Sequence, residues 1–121
     1  MSPRSREFLE RARERIDAAH GLVGATPDLA ISVAYYAMLF AARAALSEQE
    51  LHAKRHVGTW DLFHRTFVAD RRFDGDLLTQ ARAIQGRREA IDHDAAIVSL
   101  DEATAALADR FVSEVAAMID P

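Results

Sequence analysis

The sequence contains no cysteine, which excludes a disulfide framework and a thiolate metal site. It also has few prolines: two of the three stand near the chain ends, and Pro27 stands where a helix can start. No apolar run approaches the roughly 18 residues of a membrane span. The charged N-terminal segment MSPRSREFLERARER predicts no signal peptide. These absences favour a cytoplasmic protein that is not membrane-bound. The length of 121 residues is enough for a single core and too small for two, so we expect one domain, residues 1–121.

Strand patterns are absent as well. The chain shows no sustained apolar/polar alternation and no hairpin turn between β-branched runs. Instead, apolar residues recur with helical spacing, so we expect an all-α protein. The predicted helices cover about 3–19, 27–49, 57–68 and 77–94, and a fifth begins at the capping box in 99–102.

The second predicted helix is apolar nearly all round, which is typical of a central helix packed on more than one side. Tyr36, Phe40 and Arg43 form one stripe along it, and the polar ends of Tyr36 and Arg43 could reach a groove. Arg43 equally fits a plain packing role, with its stem along the helix surface and its charged head in water.

The net charge of −4 argues against a general nucleic-acid binder, but the charge is unevenly distributed. Residues 54–93 carry 8 Lys+Arg against 6 Asp+Glu, whereas residues 94–121 carry 1 against 6. An anionic ligand should therefore meet the middle of the chain.

The segment 77–94 contains the compact set of chemically capable residues in this sequence. One face of its helix combines an arginine with four apolar residues: Leu77, Ala81, Ile84, Arg88 and Ile91. A guanidinium cannot lose its charge to ease burial, so Arg88 needs a partner, solvent or an anionic ligand. His93, five residues on, is the side-chain type suited to proton exchange near neutrality. Arg87 and Asp92 complete the set.

Three blocks of the sequence resemble the HEPN domain superfamily. They are AYYAMLFAAR at 34–43, AKRHVG at 53–58 and FHRTFV at 63–68. Small stand-alone bacterial and archaeal members have an AYYAMFxAARALL helix, a K-x-H-x-G turn and an F-x-x-x-F-V helix in this order. The resemblance covers roughly residues 5–118. It implies a compact bundle of four to five helices that forms a homodimer.

In active members the resemblance also implies metal-independent ribonuclease chemistry from an Arg-x4–6-His motif. Arg88 and His93 match this motif here, and Arg87 gives a longer spacing of the same motif. Many small members have an aromatic residue where this chain has His93. Two positions depart from active members. Glu89 replaces a small polar residue, and Ala95 replaces the tyrosine that a partner nucleotidyltransferase modifies in some toxins, so we expect no such modification.

The chemistry needs these residue types. Cleavage of RNA by its own 2′-hydroxyl requires proton removal from that oxygen, a proton for the leaving 5′-oxygen and stabilisation of the phosphoryl charge. A histidine can move the protons, and an arginine fork suits phosphate. We expect no metal and no cofactor, since the sequence has no convincing ligand cluster.

The spacing of Arg88 and His93 favours a dimer. Five residues on a regular helix rotate by about 500°, which leaves two side chains roughly 140° apart. Arg88 and His93 of one chain therefore do not face one point unless the helix ends between them. A two-fold homodimer can bring two Arg/His pairs to one shared cleft.

The sequence thus predicts the ribonuclease toxin of a toxin–antitoxin pair, with single-stranded or loop RNA as substrate and a nucleotidyltransferase-like antitoxin as partner. We expect Arg88 to stabilise the phosphate and His93 to act as general acid and base. The predicted supporting residues are Arg87, Asp92, Lys54, Arg55, Arg43 and Tyr36. One alternative is a non-catalytic module that binds nucleotide or scaffolds such a partner. Another is structural: Arg87 and Arg88 complement the dipole of a helix end where His93 is an ordinary residue.

Overall fold

The computed structural model describes residues 1–94 and 102–121. For residues 27, 88–94 and 102 it describes the backbone only. The predicted all-α fold is confirmed, and no strand occurs in these ranges. The helices are α1 (Pro3–Leu22), α2 (Pro27–Glu48), α3 (His56–Phe63), α4 (Gly75–Asp94) and α5 (Glu102–Ile119). The first three residues of the predicted capping box, 99–101, lie outside the described residues.

The helix α2 is the centre of the bundle. Its Ile31, Tyr35, Met38 and Leu39 side chains are fully buried, and its many buried alanines let α1, α4 and α5 approach closely. In contrast to the expectation from the sequence, the segment Asp28–Glu48 is long and apolar enough to cross a membrane, with a mean hydropathy of 1.6 over a window of 18 residues. However, 67% of that window is buried inside the protein, as expected for the core helix of a bundle.

An aromatic cluster joins α3, the loop before α4 and α5. The Phe63 ring lies 4.9 Å from Phe67, 4.9 Å from Phe73 and 5.8 Å from Phe111 between ring centroids. Trp60 packs on Phe111 and donates its indole N–H to the Tyr35 hydroxyl over 3.0 Å. Trp60, Phe63 and Phe67 recur at helical spacing in the sequence, and all three are buried in this cluster.

The third helix is less regular than its sequence predicts. After Phe63 the chain continues through a π-helical turn, His64–Val68. Wider turns of this kind insert an extra residue between hydrogen-bonded groups. The apolar spacing of 57–68 predicts a helix there but contains no signal for the change of pitch.

The start of α1 is tied to the end of α2. Ser2 caps α1, since its hydroxyl accepts a hydrogen bond from the Ser5 N–H over 3.1 Å. The Glu48 carboxylate accepts from the Ser2 backbone N–H over 3.1 Å and from the Ser5 hydroxyl over 2.9 Å. These hydrogen bonds, led by that of the Ser2 backbone, lower the pKa of Glu48 below its ordinary value of 4.5.

Substituting Glu48→Gln should lower the free energy of unfolding by about 1 kcal/mol at pH 7. Because the folded-state pKa is lowered, this stabilisation is present above the unfolded pKa and disappears as the pH falls through the folded one. Urea unfolding should thus show a smaller loss at about pH 3 than at pH 7. The exposed Glu10→Gln variant is the control. An equal loss at both pH values would assign the effect to packing.

The end of α2 closes by a Schellman motif. The Leu51 N–H donates to the Leu46 carbonyl and the Glu50 N–H donates to the Ser47 carbonyl. Glu50 has a φ of 57°, the left-handed conformation that glycine usually supplies at this position. The chain thereby turns back along α2 and leads residues 51–55 toward α3.

Candidate functional site

The helix α4 continues without interruption through both predicted catalytic positions. It extends to Asp94, so Arg88, Asp92 and His93 all lie on its last two turns. Because the helix does not end between positions 88 and 93, these positions are roughly 140° apart around its axis. The side chains of 88–94 lie outside the described part of the chain. The backbone alone thus leaves the two positions of one chain on different sides of α4.

Arg87 connects the end of α4 to α5. Its guanidinium Nη1 donates a hydrogen bond to the Thr104 hydroxyl over 2.8 Å, and Thr104 is 4% exposed. Hydrogen bonds of a charged donor to a buried acceptor are among the stronger ones in proteins. Arg87 therefore fixes the position of the helix segment that carries the predicted site. The sequence contained a signal for this contact, since Thr104 is a polar residue on the otherwise apolar stripe of α5.

The end of α4 lies at the end of the bundle where α1 finishes. The Arg87 contact is in the first turn of α5, and His20, in the last turn of α1, contacts Asp109 five residues farther along α5 over 2.9 Å. The start of α1 meets the opposite end of the bundle, at Glu48. The last turns of α4 and of α2 therefore lie toward opposite ends of α1, a helix of about 30 Å.

The predicted supporting residues are distributed along the bundle instead of gathering at the end of α4. Arg43 lines a groove at the far end, near the last turn of α2. Tyr36, in the middle of α2, packs its ring on His56 at a centroid distance of 5.7 Å. Lys54 and Arg55 are exposed on the loop before α3. Of the predicted site residues, Arg87, Arg88, Asp92 and His93 lie together on the last turns of α4.

The Tyr36–His56 contact explains why two of the sequence blocks occur together. His56, from the turn at 53–58, also lies 5.9 Å from the Tyr35 ring on α2. Tyr35 in turn accepts the Trp60 hydrogen bond, so the turn is anchored on α2 by aromatic packing. His56 is thereby a packing residue at the start of α3.

Among the described side chains, no group of three His, Asp or Glu residues is arranged to hold a metal ion. The ion pairs between described residues are mostly exposed pairs on the bundle surface, such as Arg82–Asp61 and Arg110–Asp74. Exposed pairs of this kind contribute little to stability.

The HEPN domain family model matches residues 5–117, nearly the whole chain. The chain belongs to the HEPN domain family. It is 27% identical over 92 residues to "Putative toxin MJ0142" of Methanocaldococcus jannaschii, covering 75% of this chain and 63% of that protein. It is 37% identical over 70 residues to "UPF0332 protein glr0978" of Gloeobacter violaceus, covering 57% and 56%. The chain thus spans less than two thirds of the length of these curated relatives.

Proposed function

We propose that this HEPN domain is a metal-independent ribonuclease and the toxin of a toxin–antitoxin pair. The observation that carries the proposal is the Arg-x4-His motif, Arg88 and His93, on the last turns of an unbroken helix of a HEPN chain. The relative whose printed name includes the word toxin supports the second part. We further propose a nucleotidyltransferase-like protein as the cognate antitoxin.

The proposed site is a single cleft on the two-fold axis of a homodimer. Because positions 88 and 93 of one chain diverge by roughly 140° around α4, two chains are needed to surround one phosphate. Two Arg/His pairs would then meet there. The hydrogen bond from Arg87 to Thr104 holds each α4 end in place for this pairing. Lys54 and Arg55, both exposed, are available to contact the RNA backbone outside the cleft.

The proposed reaction is an internal transesterification. One His93 takes the proton of the 2′-hydroxyl, whose oxygen bonds to phosphorus while the bond from phosphorus to the 5′-oxygen breaks. The other His93 gives a proton to that leaving oxygen. The two Arg88 side chains stabilise the charge on the phosphoryl oxygens. The products are a 2′,3′-cyclic phosphate and a free 5′-hydroxyl, so atoms and charges balance without any further reactant.

Purified wild-type protein should cleave single-stranded or loop RNA in the presence of EDTA, since the proposed chemistry uses no metal. Mass spectrometry of the 5′ fragments should find a 2′,3′-cyclic phosphate end. Loss of cleavage in EDTA, or fragments with 3′-hydroxyl ends, would contradict the proposal. No cleavage over a broad RNA panel, together with no toxicity on expression, would favour the non-catalytic binding module instead.

A further inference from the structure

A groove of about 400 Å³ lies at the end of the bundle opposite the proposed cleft. The start of α1, the last turns of α2 and the segment after α2 form its walls. Its lining includes Arg4, Phe8, Arg43, Leu46, Leu51 and His52. The Schellman motif at the end of α2 shapes it, because this motif turns Leu51 and His52 back toward α1.

The Arg43 side chain in this groove has a hydrogen-bond donor without an acceptor. Its Nε is buried and makes no hydrogen bond to any described residue. No carboxylate among the side chains that the structure describes forms an ion pair with Arg43 either. A buried N–H without an acceptor is unfavourable, and most such groups in native proteins have a partner. Because the Arg43 guanidinium lines the groove, an anion bound there would lie beside its positive charge, and a small shift of the side chain would give Nε an acceptor.

The other polar groups of the groove favour an anion. The Arg4 guanidinium lies over the Phe8 ring, 5.6 Å from its centroid, and stays exposed. His52 has a ring N–H to donate in either protonation state. Glu48, the nearby carboxylate of α2, is already engaged by Ser2 and Ser5. Glu50 is the one lining carboxylate that opposes an anion.

The remaining lining is apolar: Phe8, Leu46, Leu51 and Ala53. We propose that this groove binds a phosphomonoester, with the phosphate on Arg43 and Arg4 and an apolar group of the ligand against Phe8 and Leu51. Arginine suits phosphate because its planar fork donates two hydrogen bonds to neighbouring oxygens. The site is distinct from the proposed cleft for RNA cleavage and does not depend on that activity.

The test uses three small probes on the isotopically labelled full chain: inorganic phosphate, phenyl phosphate and the neutral phenol. Phenyl phosphate should bind most tightly, because it uses both the guanidinium groups and the apolar wall. In two-dimensional NMR spectra it should shift the Arg43 Nε–H signal and the amides of residues 4–8 and 43–53. Equal or stronger binding of phenol would show an apolar site and overturn the proposal. Shifts confined to the end of α4 would overturn it too.

Four variants separate recognition from folding. Arg43→Gln and the exposed Arg4→Gln should each weaken phenyl phosphate binding about tenfold, the effect of one lost charge-assisted hydrogen bond. Glu50→Gln should tighten it about two- to threefold, because the opposing charge is removed. The control is Arg15→Gln, since that guanidinium lies over the Phe40 ring away from the groove. Unchanged binding in Arg4→Gln, or weaker binding in Glu50→Gln, would refute the proposal even if Arg43→Gln misfolds.

Discussion

Replacing Phe63 with alanine should lower the free energy of unfolding by about 3–5 kcal/mol. The Phe63 side chain is fully buried, and its ring contacts Phe67, Phe73 and Phe111. Removing it leaves a cavity where α3, the loop before α4 and α5 meet, and the surrounding rings relax only in part. Since a domain of this size is stable by about 5–15 kcal/mol in total, this one change removes a large fraction.

Urea unfolding followed by circular dichroism measures this loss. The matched control is Val57→Ala in the same helix, since Val57 is 62% exposed and its truncation should change the free energy by no more than about 0.5 kcal/mol. A loss below about 1 kcal/mol for Phe63→Ala would mean that the aromatic cluster is not the core that joins these elements.

The sequence predicted the helices well because apolar periodicity is a local property. A helix that is apolar nearly all round has to be covered on several sides, and α2 is buried in this way. Trp60 and Phe63 are large aromatic residues at helical spacing, and they lie on the buried side of α3 for the same reason.

Features set by one hydrogen bond were not predictable from that periodicity. The π-helical turn at His64–Val68 changes the pitch of five residues, fewer than a period argument can resolve. The end of α2 uses Glu50 in the left-handed conformation, where sequence rules lead one to expect glycine or asparagine. Both features depend on what the rest of the chain does around them.

The candidate site also combines features that local spacing predicts with features that depend on packing between helices. The spacing of Arg88 and His93 on one helix is local, and α4 carries both positions as predicted. The contact of Arg87 with Thr104 depends on the packing of α4 against α5, so helix spacing alone could not establish it.

The stripe of α2 that contains Tyr36 and Arg43 was likewise recognisable from the sequence, but helix spacing does not tell which neighbour covers each residue. Tyr36 meets His56, whereas Arg43 lines a groove at the far end of the bundle.

Replacing His93 with alanine should lower the rate of RNA cleavage by about 10² or more, the usual effect of losing a general acid or base. Arg88→Lys should also be severely impaired, because an ammonium keeps the charge but cannot present the two-donor fork to a phosphate. The control is His20→Ala, since His20 contacts Asp109 on the bundle surface and should leave the cleavage rate unchanged. Cleavage that survives His93→Ala undiminished would contradict the assignment of His93.

Mixing wild-type and His93→Ala subunits tests whether the cleft is shared. Light scattering should first give the wild type about twice the 13.4 kDa chain mass, since the proposed cleft needs two chains. An equal mixture, unfolded together and refolded, contains about a quarter wild-type homodimers if the subunits assort at random. A cleft that needs both Arg/His pairs should therefore retain about a quarter of the wild-type cleavage rate, because heterodimers lack one histidine. Two independent sites, each built within one chain, would retain about half, and that result would refute the shared cleft while leaving the assignment of His93 intact.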